Sequence, residues 1–168
     1  ADIPVYGPKD PNGCADLYRN SGILDFQPGL KPFKPLDFDG LSVTPVPLNH
    51  SKPTLGYCLD DGGTRLAYLT DTCGLPGATE RFLREWGPDI VVLDACHPAS
   101  QRETRNHNNI TQALEIITRL DPPRAYLTHI SHELDAERLD QPTPLPPKVR
   151  IARDGETLED WDRLDAVC

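Results

Sequence analysis

The 168-residue sequence has no methionine, even at its first position, and aromatic residues make up only 7% of it. It has no apolar run near the roughly 20 residues of a membrane-spanning helix and no charged-then-apolar leader. A membrane protein is therefore not expected, and a soluble cytoplasmic one is. Positive charge is scarce, with 17 Lys and Arg against 26 Asp and Glu, a net charge of −9. A broad nucleic-acid surface needs clustered cations, so none is expected. A small phosphorylated ligand stays compatible, because a bound metal pair reverses the local field. The five cysteines, Cys14, Cys58, Cys73, Cys96 and Cys168, are scattered with no CxxC pair. A disulfide framework is thereby disfavoured and free thiols are expected. With Ala1 first and no initiating methionine, the chain is expected to be a part of a longer product.

What the sequence has in quantity is proline, 18 residues in all, cutting the chain into short segments. Its length fits one domain with a sizeable core, or part of a larger one. Ile3–Tyr6 reads as a strand closed by Gly7-Pro8, and Asn12–Tyr18 as a helical turn or two. Residues 26–36 read as loop or edge strand, and Leu41–Leu48 as an edge or irregular strand because of its prolines. Leu55–Leu59 and Thr64–Leu69 flank Asp60-Asp61-Gly62-Gly63, a hairpin signal. Leu75, Ala78, Phe82, Leu83 and Trp86 recur at helical spacing and stop at Gly87-Pro88. Asp89–Asp94 holds the continuous apolar run of a buried strand. A second amphipathic helix begins at Ile110, with Asn109 as N-cap and Gln112 completing a capping-box pattern. A strand at Arg124–Leu127, a short helix near Asp135–Leu139 and a last hairpin from Lys148–Arg153 and Thr157–Asp160 complete the chain. Strands alternating with helices give an α/β domain.

Three of these strands end alike. Val43–Leu48 runs into His50, Leu66–Leu69 into Asp71, and Ala125–Leu127 into His129, with His132 three residues later. Such ends gather on one edge of a layered α/β fold, and two imidazoles with a carboxylate form a normal first-row metal set. Each residue has a plainer reading. Asp71 before Thr72 suits a turn or helix cap, and His50 suits an exposed loop. The two histidines of residues 127–133 suit a partly buried or surface pair. His107 precedes the second helix, where free N–H groups favour anions, and a histidine there suits acid–base work beside a phosphate. An exposed pre-cap histidine is the plainer reading for it. Asp94, Cys96 and His97 also follow a strand, and one Cys with one His in a Pro-containing loop reads as structural.

The ordered set IPVYGP, PVPLNHS, YLTDTCGLP, VVLDACHP, RNHNN and YLTHISHELD resembles the metallo-β-lactamase superfamily over nearly the whole chain. Within it the likeness is to the phosphoribosyl 1,2-cyclic phosphate phosphodiesterases of the carbon–phosphorus lyase (phosphonate) pathway, which carry the THISH ending. The resemblance implies the αββα sandwich of that fold and a dinuclear Mn²⁺ centre, with His50 and His129 each on one metal and Asp71 bridging them. It implies a catalytic role for His107 near the substrate phosphate and a structural Zn²⁺ site at His132. The reaction implied opens a ribose cyclic phosphate to ribose 1,5-bisphosphate, so the partner is a small phosphorylated sugar and neither nucleic acid nor a membrane; a homodimer is compatible.

The superfamily's HxHxDH motif and its N-terminal zinc cysteines are absent. The resemblance therefore implies a partial sandwich, the C-terminal part of a single domain with its N-terminal portion missing and inactive by itself. Two alternatives stand beside this reading. One is another hydrolase of the same fold, such as a tRNA 3′-processing nuclease. The other is a non-catalytic chain that binds a partner through an open sheet edge.

Overall fold

The computed structural model describes residues 3–10, 23–101, 104–140 and 144–158. In chain order its elements are β1 (Ile3–Val5), β2 (Leu24–Phe26), β3 (Leu36–Phe38), β4 (Leu41–Pro47), β5 (Leu55–Asp60), β6 (Arg65–Leu69), α1 (Gly77–Trp86), β7 (Ile90–Asp94), α2 (Ile110–Leu120), β8 (Arg124–Thr128), α3 (His132–Asp140) and β9 (Val149–Ile151). The turn expected at Asn12–Tyr18 lies outside the described residues, as do Cys14 and Cys168 and the end of the expected last hairpin. Strands β3 to β9 form one seven-stranded sheet in sequence order, and β1 pairs with β2 separately.

Pairing direction decides where the chemistry goes. Strand β4 runs antiparallel to β5, and β5 antiparallel to β6, so β4 and β6 point the same way. Strands β6, β7, β8 and β9 are parallel. The C-terminal ends of β4, β6, β7 and β8 therefore share one edge of the sheet, where loops build on a rigid base.

The helices pack on one face. Val46, Cys58, Ala67, Leu69, Val91, Leu93, Ala125 and Leu127 alternate inward and meet Leu83 of α1, Ile116 and Ile117 of α2 and Leu134 of α3. Each fully buried leucine or isoleucine contributes about 1.5–3 kcal/mol of transfer energy. On the other face Ile90, Val92 and Tyr126 are buried with Leu66 and Leu158 against them, whereas Tyr68 is 44% exposed. The result is the mixed α/β fold that the alternation of elements predicts. No helix among the described residues is long and apolar enough to cross a membrane.

Most elements fall where the periodicity puts them, with three corrections. Strand β4 is interior, paired on both sides, despite Pro45 and Pro47. The Pro45 carbonyl accepts from the Phe33 N–H at 2.8 Å, so that residue's backbone polar groups face away from β5. Pro47, two residues on, has the same parity, and its carbonyl accepts from the Thr79 hydroxyl at 2.7 Å. Both missing N–H groups thus fall outside the β4–β5 ladder, on the side where β3 has ended. The first arm of the expected last hairpin forms a parallel strand, Val149–Ile151 docking beside Ala125–Leu127. Helix α3 starts at His132, earlier than expected, because the Ser131 hydroxyl accepts from the Leu134 N–H at 3.3 Å.

The β5–β6 hairpin is tied by carboxylates: Asp60 accepts from Gly62 N–H, and Asp61 from Gly63 and Thr64 N–H. Helix α2 begins with the full capping box, Asn109 accepting from Gln112 N–H and Gln112 accepting from Asn109 N–H. Asn109→Ala is expected to cost about 1 kcal/mol, read as a lower urea midpoint at unchanged slope. Cys58, Cys73 and Cys96 are free thiols, as expected. Burial pushes the Cys58 thiol up to about 12, which keeps it inert.

Candidate metal centre

Four strand ends deliver the chemistry to one edge. His50 follows β4, Asp71 follows β6, Asp94 closes β7 and His129 follows β8 directly. His107 arrives from the crossover between β7 and α2. Asp71 and His129 each sit at φ 62°, in the left-handed region. Such backbone costs a non-glycine residue about 1–2 kcal/mol, though aspartate and histidine tolerate it better than most. Both turn sharply off their strands, which brings Asp71 Oδ1 to 3.5 Å from His129 Nε2. The same oxygen lies 3.8 Å from His107 Nδ1.

The ligand atoms of His50, Asp71 and His107 lie within 4.8 Å of one another, and so do those of Asp94, His107 and His129. The rings of His107 and His129 stack at 4.5 Å, and His50 meets the edge of His107 at 5.6 Å. The structure therefore brings together His50, Asp71, His107 and His129, all four of which the strand-end pattern and the RNHNN segment single out. His132 stands apart at the first residue of α3 and joins no group of three such ligands among the described residues.

Asp94 is the residue that sequence reasoning undervalued. It is fully buried and accepts from Asp71 N–H at 3.1 Å, Thr72 N–H at 3.3 Å and Asn108 N–H at 3.3 Å. Its Oδ2 also lies 2.7 Å from His107 Nδ1. A carboxylate that already accepts from three N–H groups meets Nδ1 as a fourth donor. His107 is accordingly held by a buried partner, with its side chain 21% exposed, and is not the exposed pre-cap histidine of the plainer reading. The signal was available: a wholly apolar strand that ends on a carboxylate must supply that carboxylate with partners.

Cys96 and His97 lie just beyond. Burial, followed by the charges of Asp94 and Glu133, raises the Cys96 thiol, which disfavours a thiolate nucleophile there. His97 is fixed by its backbone, its N–H donating to Asn108 O at 3.1 Å and its carbonyl accepting from Ile110 N–H at 2.9 Å. Its ring lies 6.2 Å from that of His107. Glu133 is held low by its own backbone N–H and the Ser131 hydroxyl, with His132 and His97 adding smaller attractions.

The donor set fits a divalent metal. His50 Nδ1 is buried and has no hydrogen-bond partner, a state that costs free energy unless something binds it. Imidazole and carboxylate donors at this spacing are the usual ligands of zinc, manganese and iron.

Comparison with known proteins places this geometry in context. Residues 3–130 match the model of the beta-lactamase superfamily domain. A solved structure described as a new diphosphatase from the PhnP family superposes with a TM-score of 0.74 at 26% identity, covering 93% of this chain and 57% of that one. Human tRNase Z, short form, superposes at 0.66 with 17% identity, covering 92% and 65%, a likeness of fold alone. A protein of Porphyromonas gingivalis described as an octanoyltransferase is 27% identical over 129 residues, 75% of this chain but 24% of its own length. The chain thus spans less than two thirds of each of these relatives.

Proposed function

Because the chain belongs to the beta-lactamase superfamily, with residues 3–130 matching its domain model, we propose that it forms part of a metal-dependent phosphodiesterase. The substrate class proposed is a small cyclic sugar phosphate, 5-phosphoribosyl 1,2-cyclic phosphate, opened to ribose 1,5-bisphosphate in phosphonate catabolism. The observation that carries the reading is the convergence of His50, Asp71 and His107 within 4.8 Å, beside His129. The 26% identity with a diphosphatase supports phosphorus chemistry. The net charge of −9 disfavours a polynucleotide.

His50 and His129 would each hold one Mn²⁺ and Asp71 would serve both, while His132 would hold a structural Zn²⁺ with ligands from elsewhere. When bound, the cations supply Lewis-acid stabilisation of the charge that develops at phosphorus. The chain's own contribution is proton handling. Asp94 holds Nδ1, so His107 Nε2 is the atom placed to take a proton from the attacking water and to give it to the ribose oxygen as its bond to phosphorus breaks. Water supplies the oxygen that the phosphate gains.

The HxHxDH segment does not occur in these 168 residues, so turnover by them alone is expected to be slight. The deciding assay uses the whole gene product with Mn²⁺. The phosphorus NMR signal of the cyclic diester is expected to give way to a monoester, and His129→Ala is expected to abolish the change. Trimming of a tRNA 3′ trailer with no action on the cyclic ester would replace this reading with the nuclease.

A further inference from the structure

His107 stands among three asparagines, and each of their carboxamides bonds to a different piece of the molecule. Asn106 Oδ1 accepts from Ser51 N–H at 3.1 Å, the residue directly after His50. Asn108 is fully buried. Its Oδ1 accepts from Gly74 N–H at 2.7 Å, and its Nδ2 donates to the Asp94 carbonyl at 3.2 Å. Asn109 caps α2, its Oδ1 accepting from Gln112 N–H at 2.8 Å, and its Nδ2 donates to Gln101 O at 2.9 Å.

Two of the loops so reached carry candidate ligands, His50 and Asp71. Ser51 belongs to the His50 loop, and Gly74 to the turn that carries Asp71. That turn is stitched in addition by Asn49 N–H to Thr72 Oγ1 at 3.1 Å and by Thr72 Oγ1 to Gly74 O at 2.7 Å. A segment with no regular structure thus has its polar groups directed at three separate elements. An amide suits this work because it offers an acceptor and donors on one flat, short group.

We propose that Asn106 and Asn108 are positioning residues, Asn106 setting the His50 loop and Asn108 setting the Asp71 turn against Asp94 and His107. The frame is made by one stretch of chain, so the placing of the His50 loop and of the Asp71 turn about His107 is dictated by Asn106 and Asn108. The proposal rests on reading His50, Asp71 and His107 as one site. It does not depend on the reaction, and its test is carried out on the metal-free chain, so its failure would leave the phosphodiesterase reading untouched.

The test is NMR at constant pH, following the histidine ring signals and the Asp71 and Gly74 amides. Asn106→Ala is expected to shift and broaden the His50 ring signals, leaving those of His129 and the Gly74 amide in place. Asn106→Asp is expected to restore them, because its carboxylate still accepts from Ser51 N–H. Asn108→Ser is expected to move the Gly74 and Asp71 amides and the His107 ring. Asn108→Asp is expected not to restore them, since it loses the donor to the Asp94 carbonyl and sets a second carboxylate beside Asp94. Should the Asn108 variants fail to fold, the Asn106 pair decides by itself. Unmoved His50 signals in Asn106→Ala, equal movement of all the histidines, or no recovery in Asn106→Asp would each overturn the proposal.

Discussion

Asp94→Ala is expected to lower the free energy of unfolding by about 3–5 kcal/mol, near the upper end for a single substitution. The carboxylate is fully buried and serves Asp71 N–H, Thr72 N–H, Asn108 N–H and His107 Nδ1 together. Removing it strands these donors, two of them on the fully buried Thr72 and Asn108, at about 1–3 kcal/mol for each left unsatisfied. Relaxation of the loops recovers part of that. Asp94→Asn keeps the volume but replaces an acceptor oxygen with an NH₂ among groups that all donate, so it is expected to cost less than alanine yet still about 1–3 kcal/mol. It is also expected to release the His107 tautomer, visible in the ring nitrogen shifts. Urea unfolding of the two variants checks the first point. A loss below about 1 kcal/mol for Asp94→Ala would mean that water already satisfies these donors.

The prominence of Asp94 shows where reading the sequence stopped short. Residue periodicity locates β5, β6, β7, α1, α2 and β8, because each has a buried face whose spacing is written in its apolar residues. It also places His50, Asp71 and His129 at strand ends, and strand direction then brings those ends to one edge. Partnership is not written that way. Asp94 and His97 both follow the same buried strand, and nothing local says that one lies under His107 while the other stands beside it. The separation of 13 residues between Asp94 and His107 is closed only by the β7–α2 crossover. Likewise Asn106 and Asn108 read as loop residues until their partners, 55 and 34 residues away, are known. Pro45 and Pro47 mislead for a related reason. Which side of a strand a missing N–H faces depends on register, and register is set by the neighbours.

The left-handed backbones of Asp71 and His129 give the other large effect. Asp71→Gly is expected to leave the metal-free protein as stable or more stable, by up to about 1 kcal/mol, while weakening Mn²⁺ binding at least about 100-fold. Glycine adopts φ 62° without a Cβ penalty, and its N–H still donates to Asp94, so the turn itself is kept. The carboxylate that reaches His129 at 3.5 Å and His107 at 3.8 Å is lost. His129→Gly is expected to behave in the same way, since it too sits at φ 62°. His132→Ala, outside both ligand groups, is expected to leave Mn²⁺ binding unchanged. Stability and affinity moving in opposite directions at Asp71 and His129 is the signature of strain held in place for a ligand, because a merely structural residue loses both together. Titration calorimetry with Mn²⁺ and urea unfolding, run on the same preparations, measure the two quantities independently. If Asp71→Gly binds Mn²⁺ as the parent does, the carboxylate is not a ligand, and the convergence of His50, Asp71 and His107 then has no metal to explain it.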